Sequence, residues 1–283
     1  MNIQITKQQH QVPQFYLKLW SNDHNRVWQY DLKEGSCVEK GTKGILYGDF
    51  YYEEDQQNPD NRIENILSKI ESETSTILSG LNQITNRYTK FSQNSNLKCE
   101  IEKFITIEKL QTIKKFAAFQ YLRIPGAIEQ KEYELSTSPL QRSEIDYCLN
   151  PGRFVESGYN YIKEHFLSLN AFIHYSFNTE FLTSDWPCFD LKDSYYAPLL
   201  GEEIGQSNAV IACLVIVPRL RLLLYPSNYG LSSGSLVIPS LVVSDTSESD
   251  VKNQNNLAIQ QSIRYVISRK KEDFIFKVAS KRK

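Results

Sequence analysis

A chain of 283 residues, 41% hydrophobic and 12% aromatic, has enough apolar material for a sizeable core, which excludes wholesale disorder. Its 32 lysines and arginines almost cancel 33 aspartates and glutamates, so no global field draws it to nucleic acid or to an anionic surface. The five cysteines (Cys37, Cys99, Cys148, Cys188, Cys213) are odd in number and form no C-x-x-C pair, which argues against a disulfide framework or a zinc site and for reduced thiols.

The opening MNIQITKQQH lacks the apolar stretch of a secretion signal. The longest apolar run, AVIACLVIV at 209–217, is too short to cross a bilayer, so a soluble, cytoplasmic protein without membrane contact is expected. Next comes QQHQVPQFYLKLW (8–20), where Pro13 suits the first turn of a short helix and leaves His10 just outside the helix mouth. RVWQYDL (26–32) alternates as a strand and ends in the turn KEGS.

From Asn61 the period changes. Ile63, Ile66, Leu67, Ile70, Ile77, Leu78, Leu81 and Ile84 recur at three- and four-residue steps, predicting an amphipathic helix over 61–84 that Asp60 or Asn61 caps. A polar loop is expected over 89–100. A second helix follows over 103–123, stopped by Pro125. Residues 126–154 read as a long excursion with at most a short helix, and 156–170 as a further helix. AFIHYSFNTEFLTSDWP (171–187) predicts a hairpin turning at Asn178 and Thr179. AVIACLVIV and RLRLLLY are short strands broken by Pro218, and 253–271 returns to helical spacing. The expected fold is α+β: one helix-rich domain over 1–268 with long amphipathic helices and a small, mostly antiparallel sheet in the second half. Residues 264–283 carry eight basic and two acidic side chains, so a basic tail is expected over 269–283, with Lys270 and Lys271 as candidate phosphate contacts.

Several residues interrupt these patterns with chemistry. A helix mouth lowers the pKa of His10 and favours the neutral ring that acts as base or ligand. The alternative is a half-buried ring bonded to backbone, a reading that fits His24, His165 and His174 better still. Gln120 replaces an apolar residue on the stripe of Ile113, Phe116 and Ala117, and Arg123 lies one turn on, a fork matched to a carboxylate or a phosphate or else a cap for helix carbonyls. Glu64 and Glu71 share a helix face two turns apart, a position that is ordinarily solvated. Asp49, Glu53 and Glu54 form an acidic cluster without a histidine at ligand spacing. Asp185 ends a strand in FLTSDWP, where carboxylates work but where turns also begin.

Taken in order, HQVPQFYLKLW, VWQYD, GDFYYE, IENILSKIES, FQYLRIP, FLTSDWP, VPRLRLLLYP and the closing SIRYVIS resemble the landmarks of a widespread microbial family of unknown function. Its members open on His-x-Val-Pro-x-Phe-Tyr-Leu and carry Thr-Ser-Asp-x-Pro in the second half. The resemblance spans about residues 8–268. It implies a single α+β domain and singles out His10, Glu71, Gln120, Arg123 and Asp185; such families travel with bacterial defence or toxin loci. Gln11 stands where an aromatic is common and Leu19–Trp20 where Asn-Phe is frequent, leaving His10 and Pro13 intact.

These residues together suggest a hydrolase, foremost a nuclease acting on RNA or DNA. His10, Glu71, Arg123 and Asp185 are its candidate catalytic residues, Gln120, Lys270 and Lys271 its candidate substrate contacts, and a divalent metal ion its candidate cofactor. The competing expectation is a non-catalytic binding or sensor module whose polar cluster is structural. No Walker loop, dinucleotide fingerprint, H-E-x-x-H or nucleophile elbow is present.

Overall fold

The apolar stripe that begins at Ile63 forms the longest helix of the chain's described part, and the remaining elements assemble around it. In the computed structural model the described residues are 5–88, 94–123, 141–190, 212–225 and 241–274, with isolated positions between 128 and 136. The helices are α1 (Gln14–Leu17), α2 (Arg62–Arg87), α3 (Asn94–Phe104), α4 (Ile107–Leu122), α5 (Arg142–Leu149), α6 (Pro151–Ser168) and α7 (Glu248–Gln261). The strands are β1 (Gln8–His10), β2 (Arg26–Asp31), β3 (Ser36–Gly41), β4 (Tyr47–Asp49), β5 (Asn170–Tyr175), β6 (Thr183–Ser184), β7 (Cys188–Asp190), β8 (Ala212–Val217), β9 (Leu220–Tyr225), β10 (Leu241–Asp245) and β11 (Tyr265–Ser268).

The fold is α+β. A five-stranded sheet runs in the order β10-β5-β9-β8-β7, antiparallel except for β10 against β5. An antiparallel four-stranded sheet runs β3-β2-β11-β6, and β1 pairs with β4 as a ribbon. The early aromatic run ties these parts together: Tyr16 and Trp20 are fully buried, the Tyr16 hydroxyl donates to Val215 O at 2.6 Å, and the Trp20 indole donates to Phe181 O at 3.0 Å. Each ring thus buries a large apolar surface without stranding its polar atom.

Several boundaries differ from the expected ones. The loop expected over 89–100 is helical from Asn94 onward. The helix expected over 103–123 is two: the chain breaks in the β-branched run Ile105–Thr106, where Thr106 turns extended and its side chain caps Lys109 N at 3.4 Å. Helix α6 begins at Pro151, five residues before the expected start, because Asn150 caps Arg153 N and Pro151 fits the first turn. The two runs of 171–187 do not form a hairpin: β5 joins the five-stranded sheet and β6 pairs with β11 in the other. The closing helix stops at Gln261, and RYVIS supplies strand β11, whose Val266 and Ile267 are both buried. A strand covered on both faces shows no alternation, so its period was masked.

The boundary at residue 268 also moves. Arg269 donates to Leu19 O at 2.8 Å and pairs with Glu180 at 3.4 Å, and Phe274 is buried against Leu182 and Val266. Residues 269–274 therefore belong to the packed body; the rest of the expected tail, 275–283, lies outside the described residues, as does the start of AVIACLVIV. Among the described residues no helix is long and apolar enough to cross a membrane.

Candidate functional site

Strand alternation in β1 turns Gln9 inward and leaves His10 half-buried at the edge. The Gln9 amide nitrogen donates to Glu53 Oε1 at 2.7 Å, and its oxygen accepts Tyr52 N–H at 2.6 Å. The second Glu53 oxygen accepts the N–H groups of Asp60 (2.8 Å) and Asn61 (3.3 Å), so this carboxylate is spent on fastening the start of α2 to the ribbon. Its neighbours are spent as well: Glu54 pairs with Arg62 and Arg153, and Asp49 pairs with Lys7 at 3.3 Å. The acidic cluster is structural, and among the described residues no three His, Cys, Asp or Glu side chains are grouped to hold a metal ion.

Arg123 ends α4 and is the hub. Its Nη1 donates to Glu71 Oε1 at 2.5 Å, its Nε to the Tyr52 hydroxyl at 3.1 Å, and its Nη2 to the carbonyl of His10. The Tyr52 hydroxyl is also 3.4 Å from the carbonyls of His10 and Arg123. The guanidinium side chain is 2% exposed and that of Glu71 24%, so the pair opens to solvent on the α2 side. Helix α6 presses on this hub: Gly152, in its first turn, lies so close to the Tyr52 carbonyl that any Cβ there would overlap it. Phe119, one turn before Arg123, stacks on Tyr159 of α6 with ring centroids 3.6 Å apart.

His10, Glu64, Glu71 and Arg123 form one electrostatic unit. Burial, reinforced by the Arg123 charge, holds the His10 imidazole below its ordinary pKa of 6.5, against the raising effects of Glu71 and of a hydrogen bond to the Lys43 backbone. The direction matches the expectation but the cause does not: α1 is a single turn beginning beyond Pro13, and the buried guanidinium takes the part assigned to the helix mouth. Burial pushes Glu64 from 4.5 up to about 7; Arg123 opposes the rise, and Glu71 and Glu53 add to it. Among the described residues, His10 Nε2, Glu64 Oε2 and both amide atoms of the fully buried Gln120 have no hydrogen-bond partner.

The expected residues divide. His10, Glu71 and Arg123 meet, and Gln120 sits one helical turn before Arg123. Asp185 does not join them. Its carboxylate accepts the backbone N–H groups of Ile263 (3.1 Å), Arg264 (2.7 Å) and Tyr265 (2.8 Å), fastening β6 to the entry of β11. Burial raises its pKa while those three amides lower it, and no hydrogen bond or ion pair links it to the Arg123 cluster. Lys270 and Lys271 are exposed just beyond the end of β11; Lys271 Nζ lies 5.4 Å from the Trp28 ring centre, and no hydrogen bond or ion pair among the described residues links either lysine to the cluster. Two members were not chosen from the sequence. Glu64 had a visible signal, its seven-residue spacing from Glu71 beside the apolar seam, whereas nothing in GDFYYEED distinguishes Tyr52 from Tyr51.

The chain is thus an α+β protein with a solvent-edged His-Glu-Glu-Arg cluster where a β-ribbon meets two helices. It belongs to the family described as protein of unknown function, DUF4238, whose model matches residues 8–272. No curated protein and no solved structure matches it.

Proposed function

We propose that the protein is a hydrolase whose working pair is His10 and Glu64, with the phosphodiester of a nucleic acid, RNA foremost, as its substrate. One observation carries the reading: a carboxyl group that holds its proton up to about pH 7 and an imidazole kept neutral lie around one buried guanidinium, each with an unpartnered buried atom. A proton acceptor and a proton donor are what in-line attack of a ribose hydroxyl on phosphorus requires, one to activate the nucleophile and one to protonate the leaving oxygen. Arg123 acts here as a positioning residue. All three of its nitrogens already donate within the protein, so it fixes the backbone of His10 and biases both titrations instead of gripping a phosphate. A cytoplasmic setting and a role in bacterial defence or as a toxin fit this reading.

The test is cleavage of a fluorogenic RNA, and of its DNA counterpart, by the wild-type chain, His10→Ala and Glu64→Gln. Loss in both folded variants by about a hundredfold or more supports the reading; full cleavage by either ends it. The near-complete burial and internal pairing of Arg123 favours a second reading, in which the cluster is a strut of a binding module. Under that reading both variants are silent and removal of residues 275–283 abolishes function.

A further inference from the structure

Helix α6 runs back along α4. Gly152 presses on the Tyr52 carbonyl beside the Arg123 hub, Tyr159 stacks on Phe119, and at the far end the Lys114 ammonium donates to the carbonyls of Leu167, at 3.2 Å, and Leu169. Helix α2 lies beside this pair, and the three helices leave an open groove of about 520 Å³ between them. Its floor is apolar: Ile66, Ile70, Tyr159 and Leu167 line it, and Ile66 is 38% exposed.

Each helix also sends a lysine to this groove, Lys69 from α2, Lys115 from α4 and Lys163 from α6. Among the described residues the Lys69 and Lys115 ammonium groups enter no ion pair or hydrogen bond. Lys163 pairs at 3.3 Å with its neighbour Glu164, whose carboxylate is 74% exposed. Glu73, the other acidic residue of the groove, stands four residues after Lys69 and does not pair with it; a basic residue preceding an acidic one is the weaker order for such a pair. Three ammonium groups against two carboxylates leave positive charge in excess over an apolar floor, in a chain whose net charge is −1. An anion seated there relieves their mutual repulsion.

We infer that this groove carries the stretch of single-stranded RNA next to the bond that is cut, with its phosphates on Lys69, Lys115 and Lys163 and its bases over the apolar floor. A cationic groove with aromatic and apolar walls holds single strands without regard to sequence. The inference rests on the hydrolase reading, and the groove begins next to that site. Ile70 adjoins Glu71 on α2, and Lys115 precedes Arg123 by eight residues on α4, about 12 Å along the axis. A strand leaving on the side that Glu71 opens to solvent therefore meets the lysines. They supply the hold on phosphate that Arg123, already committed within the protein, does not.

The full-length chain is titrated over a range of salt with a short fluorescein-labelled 2′-O-methyl RNA, which has no free ribose hydroxyl to attack. Replacing Lys69, Lys115 and Lys163 together by glutamine should weaken binding about tenfold at low salt and flatten the slope of log K against log salt by about 2. Lys33, Lys40 and Lys252 replaced together are the control for charge alone and should leave both unchanged, whereas Glu73→Gln should tighten binding. No binding by the wild type, equal loss in the control, or wild-type binding by the groove variant overturns the proposal. So does an acidic peptide that binds through the same lysines in preference to the RNA. The cleavage assay separates the two claims. If Glu64→Gln binds and cleaves like the wild type, the acid–base reading fails while the groove stands; if the groove variant binds and cleaves unchanged while His10→Ala and Glu64→Gln are inactive, the reverse holds.

Discussion

Arg123 and Glu71 meet at 2.5 Å between the end of α4 and the middle of α2, with the guanidinium buried and the carboxylate at the edge of solvent. The remaining nitrogens of Arg123 hold Tyr52 and the His10 carbonyl, so one side chain joins four elements of chain. Removing it strands a carboxylate, a hydroxyl and a carbonyl at once. Arg123→Ala should cost about 3–5 kcal/mol in a urea melt, and Arg123→Lys should recover only part, because an ammonium cannot span the three acceptors in one plane. A double-mutant cycle with Glu71→Gln should show coupling well above that of a surface pair.

The acid side of neutrality should be the working range. Glu64 is the proton donor below about pH 7, and His10, with its pKa lowered, is already the neutral acceptor there. Under the hydrolase reading kcat/KM should follow a bell with its upper limb near pH 7, and Glu64→Asp should shift that limb. A profile still rising above pH 8 contradicts the assignment.

Stability should carry the same signature with a definite sign. The folded pKa of Glu64 lies above its ordinary 4.5, so between pH 4.5 and about 7 the folded state keeps a proton that the unfolded state gives up. That contribution is present at low pH and is lost as pH rises through about 7. Glu64→Gln should remove the slope and be more stable than wild type at pH 8, by up to about 3 kcal/mol. His10 works the other way: its lowered pKa means stability falls as pH drops below 6.5, and His10→Gln should flatten that limb.

Gly152→Ala tests whether α6 sets the site. The new Cβ would overlap the Tyr52 carbonyl, and backbone yields less readily than a side-chain tip. A loss of about 1–3 kcal/mol is expected, together with a displaced Tyr52 hydroxyl and a weakened Arg123 hub. Gly158, which meets only the tip of Leu122 at 3.1 Å, should accept alanine at much smaller cost.

Asp185 should behave as a fastening. Its carboxylate gathers three successive backbone N–H groups, and Asp185→Ala leaves them without that acceptor. A cost of about 1–3 kcal/mol is expected in thermal or urea unfolding, while any cleavage activity measured well below the melting temperature stays near wild type. Specific loss of activity in a fully folded Asp185→Asn would restore it to the site.

What the sequence determined by itself is what repeats locally. The seam from Ile63 to Ile84 needed only a three- and four-residue period to declare α2, and the alternation of RVWQYD declared β2. Gln120 and Arg123 stood out in the sequence as polar breaks in the α4 stripe, and Arg123 is where the bonds to Glu71 and Tyr52 gather. Tertiary structure decided the rest, because partners far apart in sequence leave no local trace. Only the folded chain brings His10 to Arg123 across 113 positions, sends Asp185 to the amides of 263–265, and buries β11 on both faces so that a strand reads as helix. Tyr52 and Glu64 became visible for the same reason: a hydroxyl and a carboxyl acquire their chemistry from the guanidinium and the desolvation around them, and both are supplied by segments that meet only in space.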